Sequence, residues 1–143
     1  MSTFLVDTNV IVDILSRDPT WFRWSASVLE RCASEGPLAV NPIIYAELAV
    51  GFSRVEDLDA TLHPLDWQRL SLPWAAGFLA GRCFVDYRRR GGARMSPLPD
   101  FYIGAHAAVD GLTLVTRDPA RFRTYFPGVR MIEPAGAPLE GPH

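Results

Sequence analysis

Four carboxylates in this chain sit where an apolar element ends or packs, and this placement limits the fold more than any other feature of the sequence. They occur in Phe4-Leu5-Val6-Asp7, Ile44-Tyr45-Ala46-Glu47-Leu48, Pro99-Asp100-Phe101-Tyr102-Ile103 and Leu114-Val115-Thr116-Arg117-Asp118. A water-facing acid is ordinary. One that continues a hydrophobic pattern is costly to bury unless something neutralises it. A fold that gathers all four around a divalent cation removes that cost.

The pattern between the acids indicates such a fold. Residues 3–6 read as a buried strand, after which Val10, Ile11, Ile14 and Leu15 recur at helical spacing. A helix is expected over about 21–34, ending before Gly36-Pro37, then a short strand at 38–40 and a helix opened by Pro42. Next come a short helix at 55–62, a strand at 67–72 and a helix opened by Pro73. In that helix Trp74, Phe78, Gly81 and Val85 share a face, and Gly91-Gly92 ends it. After a loop at 93–99, a helix runs from Asp100 to about Asp110 and is closed by Gly111. A strand at 112–116, a short helix at 118–126 and a strand at 129–132 complete the series. Strands alternating with helices imply an α/β fold, a parallel sheet with right-handed crossovers.

In such a sheet, ligands sit beyond the carboxyl ends of the strands. Asp7 directly follows one strand, and Asp118 lies two residues past Thr116, near the end of another. Asp100 starts the helix that runs back to the strand at 112–116, so its start lies near the same edge. Glu47 is five residues into the helix that leaves the strand at 38–40, only about 7–8 Å of rise. Helical phase groups Glu47 with Ile44, Leu48 and Gly51, and Asp100 with Ile103, Gly104 and Ala107, so both acids are expected to face the sheet.

Two carboxylates about 4 Å apart repel by roughly 4 kcal/mol at an effective dielectric near 20, so four of them require a counter-charge. All-oxygen ligation suits Mg²⁺ or Mn²⁺ rather than Zn²⁺, and the three His residues, at 63, 106 and 143, are scattered. Asp7, Asp100 and Asp118 could each instead cap the helix that follows. Glu47 has no such alternative, which makes it the discriminating member.

The 143 residues suit one domain, and 48% hydrophobic content supplies a core. No apolar run approaches the roughly 18 residues of a membrane helix, and residues 1–4 lack the features of a secretory leader. Cys32 and Cys83 do not make a disulfide framework, and a reducing, cytoplasmic setting is expected. Every basic residue is Arg. Residues 1–81 carry five Arg against ten acids, and residues 82–143 carry nine Arg against six. An acidic half suits a metal site and a basic half suits phosphates, although a compositional preference for Arg on ordinary surface gives the same split.

Taken in order, these segments resemble the PIN-domain family and, within it, the VapC-type ribonuclease toxins. The matching stretches are Phe4 to Asn9, Tyr45-Ala46-Glu47-Leu48 with Gly51, Pro99-Asp100 followed by Ile103 to Ala107, and Gly111 to Asp118. Arg121-Phe122 and Tyr125 to Val129 also look like the toxin branch. The resemblance covers about residues 3–134. It implies a parallel sheet of about five strands sandwiched by helices, in a single PIN domain at 1–134, with 135–143 a flexible Pro/Gly-rich tail. It also implies hydrolysis of single-stranded RNA, a homodimer, and a cognate VapB-type antitoxin that neutralises the toxin. Asp7, Glu47, Asp100 and Asp118 fall on the family's four acidic positions, and Asn9 and Thr116 on neighbouring polar positions that orient the acids. On this reading Asp7 and Asp100 are direct ligands of Mg²⁺ or Mn²⁺, Glu47 binds directly or through water, and Asp118 is an outer or second-metal ligand.

Arg88, Arg89 and Arg117 are candidates for gripping RNA phosphates, although a basic helix end also complements the helix dipole. His106 reads as a packed core histidine, Cys32 and Cys83 as inert, and the four Trp residues as core or interface. Three other readings compete. A housekeeping PIN nuclease keeps the chemistry without an antitoxin, and a non-catalytic RNA-binding PIN domain usually loses some of the acids. A haloacid-dehalogenase-like phosphatase wants a second Asp two residues after the first, where this chain has Asn9.

Overall fold

Phe4, Leu5 and Val6 are all buried, and a three-residue strand with no polar face has to lie inside a sheet rather than at its edge. This strand, β1 (Phe4–Val6), is the middle strand of a five-stranded sheet in the computed structural model, which describes residues 2–134. The tail expected at 135–143 lies outside the described residues. After β1 the chain runs through α1 (Thr8–Leu15), α2 (Phe22–Glu35), β2 (Leu38–Val40), α3 (Pro42–Ala49), α4 (Val55–Leu62) and β3 (Gln68–Arg69). It continues through α5 (Trp74–Arg89), α6 (Pro99–Asp110), β4 (Thr113–Val115), α7 (Ala120–Tyr125) and β5 (Met131–Ile132).

The strand order is β3-β2-β1-β4-β5, and every pairing is parallel. From β1 the chain moves outward through β2 to β3, then crosses to β4 and β5 on the other side. Right-handed crossovers therefore place α1–α4 on one face and α5–α7 on the other. The direction of winding reverses between β1 and β4, and the crevice beyond their carboxyl ends is the topological switch point. The core includes Leu5, Val6, Ile44, Leu58, Phe101, Ile103, Leu114 and Phe122, each at most 1% exposed. Among the described residues no helix is long and apolar enough to cross a membrane.

Local chemistry explains the boundaries. Pro42 opens α3 behind an Asn41 cap whose side-chain oxygen accepts the Ile44 N–H at 2.9 Å. Gly111 closes α6 at φ 65°, the left-handed conformation glycine adopts without strain. Gly104, within α6, admits the ring of Phe126, and a Cβ there would lie 2.3 Å from Phe126 Cδ2. On an open helix face Ala would gain about 1 kcal/mol over Gly. Against a ring that is only 4% exposed, overpacking outweighs that gain. Gly104→Ala is expected to destabilise the fold by about 1–2 kcal/mol, read as a lower urea midpoint. An unchanged or higher midpoint would show that the Phe126 ring yields freely.

Several expectations change. The strand at 129–132 shortens to β5 and the helix at 118–126 to α7, which leaves Asp118 outside it. The strand at 67–72 shortens to β3, because this outermost strand pairs on one side only and Pro73 follows closely. The face shared by Trp74 and Phe78 points outward, with Trp74 96% and Phe78 74% exposed. α5 instead buries Ala76, Ala80 and Cys83, small side chains that let it pack closely beside α6.

Candidate functional site

The pairing register aligns the strand ends. Leu5 pairs with Leu114 and Val6 with Val115 on one side, while Leu5 pairs with Ala39 on the other. Continued past the strands, this register puts Asn41, Asp7 and Thr116 side by side across the carboxyl edge. The Asp7 N–H donates to the Val115 carbonyl at 2.8 Å, which fixes Asp7 against β4.

Asp7 is 5% exposed and fully engaged. Its Oδ1 accepts the Thr8 N–H at 2.8 Å, so it caps α1. Its Oδ2 accepts the Thr116 hydroxyl at 2.8 Å and the Asn9 amide at 3.2 Å. The Asn9 amide also donates to Asp118 Oδ2 at 3.3 Å, and the Asp118 N–H donates to Thr116 Oγ1 at 3.1 Å. Glu47 joins from α3, its Oε1 accepting the Thr8 hydroxyl at 2.6 Å. Asp100 faces this group from α6, and its Oδ2 accepts Arg121 Nη1 at 3.2 Å. Thr8, Asn9 and Thr116 thus bridge three of the acids, and Arg121 holds the fourth.

The electrostatics record the crowding. Burial pushes the Asp7 carboxyl up to about 7, and the nearby Asp100 and Glu47 add to the rise, against the lowering effects of the Thr116 and Thr8 hydrogen bonds. Burial also raises Asp100, with a further contribution from Asp118 and partial relief from Arg121. Among the described residues, no three Asp, Glu, His or Cys side chains form a ready-made metal cage. The acids meet through hydroxyls and an amide rather than directly. The donor set is nonetheless all oxygen, and its most buried acid holds its charge only at a cost. Those are the properties that suit a hard divalent cation.

Capping does not account for Asp100 or Asp118. The cap residues of α6 and α7 are Leu98 and Pro119, neither with a side-chain capping bond. Glu47 and Asp100 are half-buried rather than wholly turned to the sheet. Asn9 serves as a donor to two acids, which explains an amide where a phosphatase of the dehalogenase type wants an acid. Of the basic candidates, only Arg117 reaches the acids, with Nη1 3.7 Å from Asp118 Oδ2. Arg88 donates to the Arg94 carbonyl at 2.7 Å, and Arg89 is exposed in the last turn of α5. His106 is fully buried between Asn41 Nδ2 at 3.0 Å and Asp110 Oδ2 at 3.1 Å, and burial lowers its pKa. Cys32 and Cys83 are buried and free, with burial raising both thiols.

The structure adds Asp13, which the sequence reading passed over. It is 2% exposed, and its Oδ2 accepts Arg117 Nε at 2.7 Å and Ser25 Oγ at 2.9 Å. The Arg117 guanidinium also lies over the Trp21 ring at 5.4 Å, and its backbone N–H reaches Asn9 Oδ1 at 3.5 Å. Asp13 thereby anchors the segment carrying Thr116 and Asp118. It continues the Val10, Ile11, Ile14 stripe, so the rule that selected the four acids would have selected it too.

A parallel sheet with hydrogen-bonded acids at its switch point defines an α/β protein with an acidic group in the ligand-binding position of the fold. The family model described as PIN domain matches residues 4–126, and the chain belongs to that family. Solved structures share the fold. A chain of VapBC2 from Rickettsia felis, bound to a promoter DNA fragment, superposes with a TM-score of 0.70 at 20% identity, covering 92% of this chain and 98% of that one. A chain of DNA-bound VapBC from Salmonella typhimurium gives 0.67 at 22% identity, covering 93% and 98%. A chain of a toxin–antitoxin complex from Klebsiella pneumoniae gives 0.59 at 25% identity, covering 87% and 93%. No curated protein matches the sequence.

Proposed function

We propose that this chain is a VapC-type toxin, a divalent-metal-dependent endoribonuclease that hydrolyses phosphodiester bonds of single-stranded RNA. Asp7 carries the reading. A carboxyl buried at the switch point, pushed up to about 7 and flanked by two further acids, is a poor structural choice and a good half-site for a cation. Asp7 and Asp100 would hold Mg²⁺ or Mn²⁺ directly, Glu47 directly or through water, and Asp118 as an outer or second-metal ligand. When bound, the ion supplies Lewis acidity toward water and toward the scissile phosphate oxygens.

The chain's own groups prepare that site. Thr116 and Asn9 hold Asp7 Oδ2, and Asn9 sets the distance from Asp7 to Asp118. Thr8 orients Glu47, and Arg121 keeps Asp100 in place while leaving a cation at the rim where RNA phosphates approach. A cognate VapB-type antitoxin belongs to the same reading, supported by structural neighbours from VapBC and toxin–antitoxin complexes, and a homodimer is proposed with it. A cytoplasmic setting, where the RNA substrate is, follows from it.

The purified chain is expected to cut single-stranded RNA in Mg²⁺, to stop when EDTA is added, and to resume with excess Mn²⁺. Cleavage that continues undiminished in EDTA, or RNA left intact with either metal, would count against the proposal.

A further inference from the structure

A cavity of about 350 Å³ opens at the carboxyl edge of β2 and β3, lined in part by Asn41, Tyr45, Ala46, Arg69, Leu70 and Ser71. Its wall is built rather than incidental. Arg69 Nη2 donates to Asp59 Oδ1 at 2.6 Å, the Tyr45 hydroxyl donates to the same oxygen at 2.7 Å, and the Arg69 guanidinium lies over the Tyr45 ring at 4.9 Å. One carboxylate oxygen thus ties the cation and the ring together. The Arg69 side chain is still 54% exposed and lines the cavity, so part of it remains open to a ligand.

Register places this cavity beside the acids. Val40 pairs with Arg69, so Leu70 extends the row of Asn41, Asp7 and Thr116 across the sheet edge. Neighbouring strands lie about 4.8 Å apart, which puts Asn41 and Leu70 roughly 5–10 Å from Asp7. That span matches one or two nucleotides of an extended strand. A cavity of this size takes a small flat group, and nucleobases stack on Arg and aromatic planes.

We propose that this cavity is a subsite for one nucleobase of the RNA, stacked on the Arg69 guanidinium, one or two nucleotides from the phosphodiester cut beside Asp7. It rests on the nuclease reading and deepens it, since a base held here selects where the strand is cut. Tyr45 and Asp59 act as positioning residues that keep the guanidinium flat, and the Ser71 hydroxyl at the rim is placed to meet the base edge.

The test has two arms. In the first, the full chain is titrated with each of the four nucleosides, without metal, and followed by NMR. At least one nucleoside is expected to shift the amides of Tyr45, Leu70 and Ser71. The affinity should fall about tenfold or more in Arg69→Ala, and the shifts should vanish in Ser71→Trp, which fills the cavity from an exposed position. In the second arm, a random RNA pool is cut in Mg²⁺ and the ends are sequenced. The wild type is expected to favour one base at a fixed position within two nucleotides of the cut, and Ser71→Trp to flatten that preference.

Shifts from no nucleoside, or a preference unchanged by Ser71→Trp, would overturn the subsite. Shifts of the same amides by an amphipathic helical peptide but by no nucleoside would assign the cavity to a protein partner and overturn it equally. Nucleoside binding without RNA cleavage would break the nuclease reading and leave a base-binding cavity, whereas cleavage without nucleoside binding would break the subsite alone.

Discussion

Asp7→Asn is expected to lose about 10³-fold or more of metal-dependent RNA cleavage, and with it most of the fall in stability between pH 4 and pH 7. The first effect follows from the proposed role of Asp7 as a negative ligand, since a bound cation contributes several kcal/mol to such a transition state, at about 1.4 kcal/mol per tenfold. The second follows from linkage. The folded carboxyl titrates near 7 and the unfolded one near 3.8. Between those values the folded state holds a proton that the unfolded chain has released, so stability declines as pH rises. The decline is complete above pH 7 and amounts to at most about 4 kcal/mol. An Asn side chain does not ionise. Its NH₂ group leaves either the Thr8 N–H or the Thr116 and Asn9 donors without an acceptor, but that loss is nearly constant with pH and leaves the slope comparison intact. Urea unfolding of both proteins in EDTA from pH 4.5 to 8.5 reads the effect. Parallel curves, or full cleavage by the variant, would show that Asp7 does not occupy the position assigned to it.

Asp13→Ala is expected to cost about 3 kcal/mol of stability and a large part of the activity. Breaking a buried ion pair from one side is far more damaging than its net worth suggests, because it strands the partner. Arg117, with a side chain only 24% exposed, would lose its 2.7 Å bond, and Ser25 would lose its acceptor. The figure lies at the low end of the range for buried pairs because Arg117 keeps some solvent and its contact with Asp118. In Arg117→Ala/Asp13→Ala the orphaned cation is gone, so the double variant should be more stable than the sum of the single losses predicts. Strict additivity, or a loss below 1 kcal/mol in Asp13→Ala, would mean that the pair does not anchor the 116–118 segment.

Much of the fold was legible because local rules and tertiary structure agree. The helices at α1, α3 and α4 and the strand β2 follow from periodicity, Pro42 and short apolar runs. Where two rules competed, tertiary packing decided. α5 carries two stripes of helical period, one of Trp74 and Phe78 and one of Ala76, Ala80 and Cys83. Only the close approach of α6 selects the smaller one. The four acids were visible because each interrupts an apolar context. Their linkage was not, since the Thr8 to Glu47 bond spans 39 residues and the Asn9 to Asp118 bond 109. Asp13 was as visible as the other four, inside the apolar run Val10 to Leu15, and only its pairing with Arg117, 104 residues away, was not. The Tyr45, Asp59 and Arg69 wall likewise joins three elements that no sequence spacing relates.

The acids also differ in how firmly the chain holds them. Asp7 follows the central strand, with hydrogen-bonded neighbours on both sides, so its backbone is exposed only when the whole sheet comes apart. Asp118 lies in the irregular stretch between β4 and α7, outside any ladder or helix, held by the Asp13–Arg117 pair and the Thr116 hydroxyl, so it can open once those side-chain bonds break while the sheet stays intact. Amide exchange at Asp7 therefore reports global unfolding, and exchange at Asp118 reports fluctuation within the native state. The acidic group thus has one side held by the sheet and one held only by side chains, and under the proposed function RNA strands of different width would be accommodated from the Asp118 side.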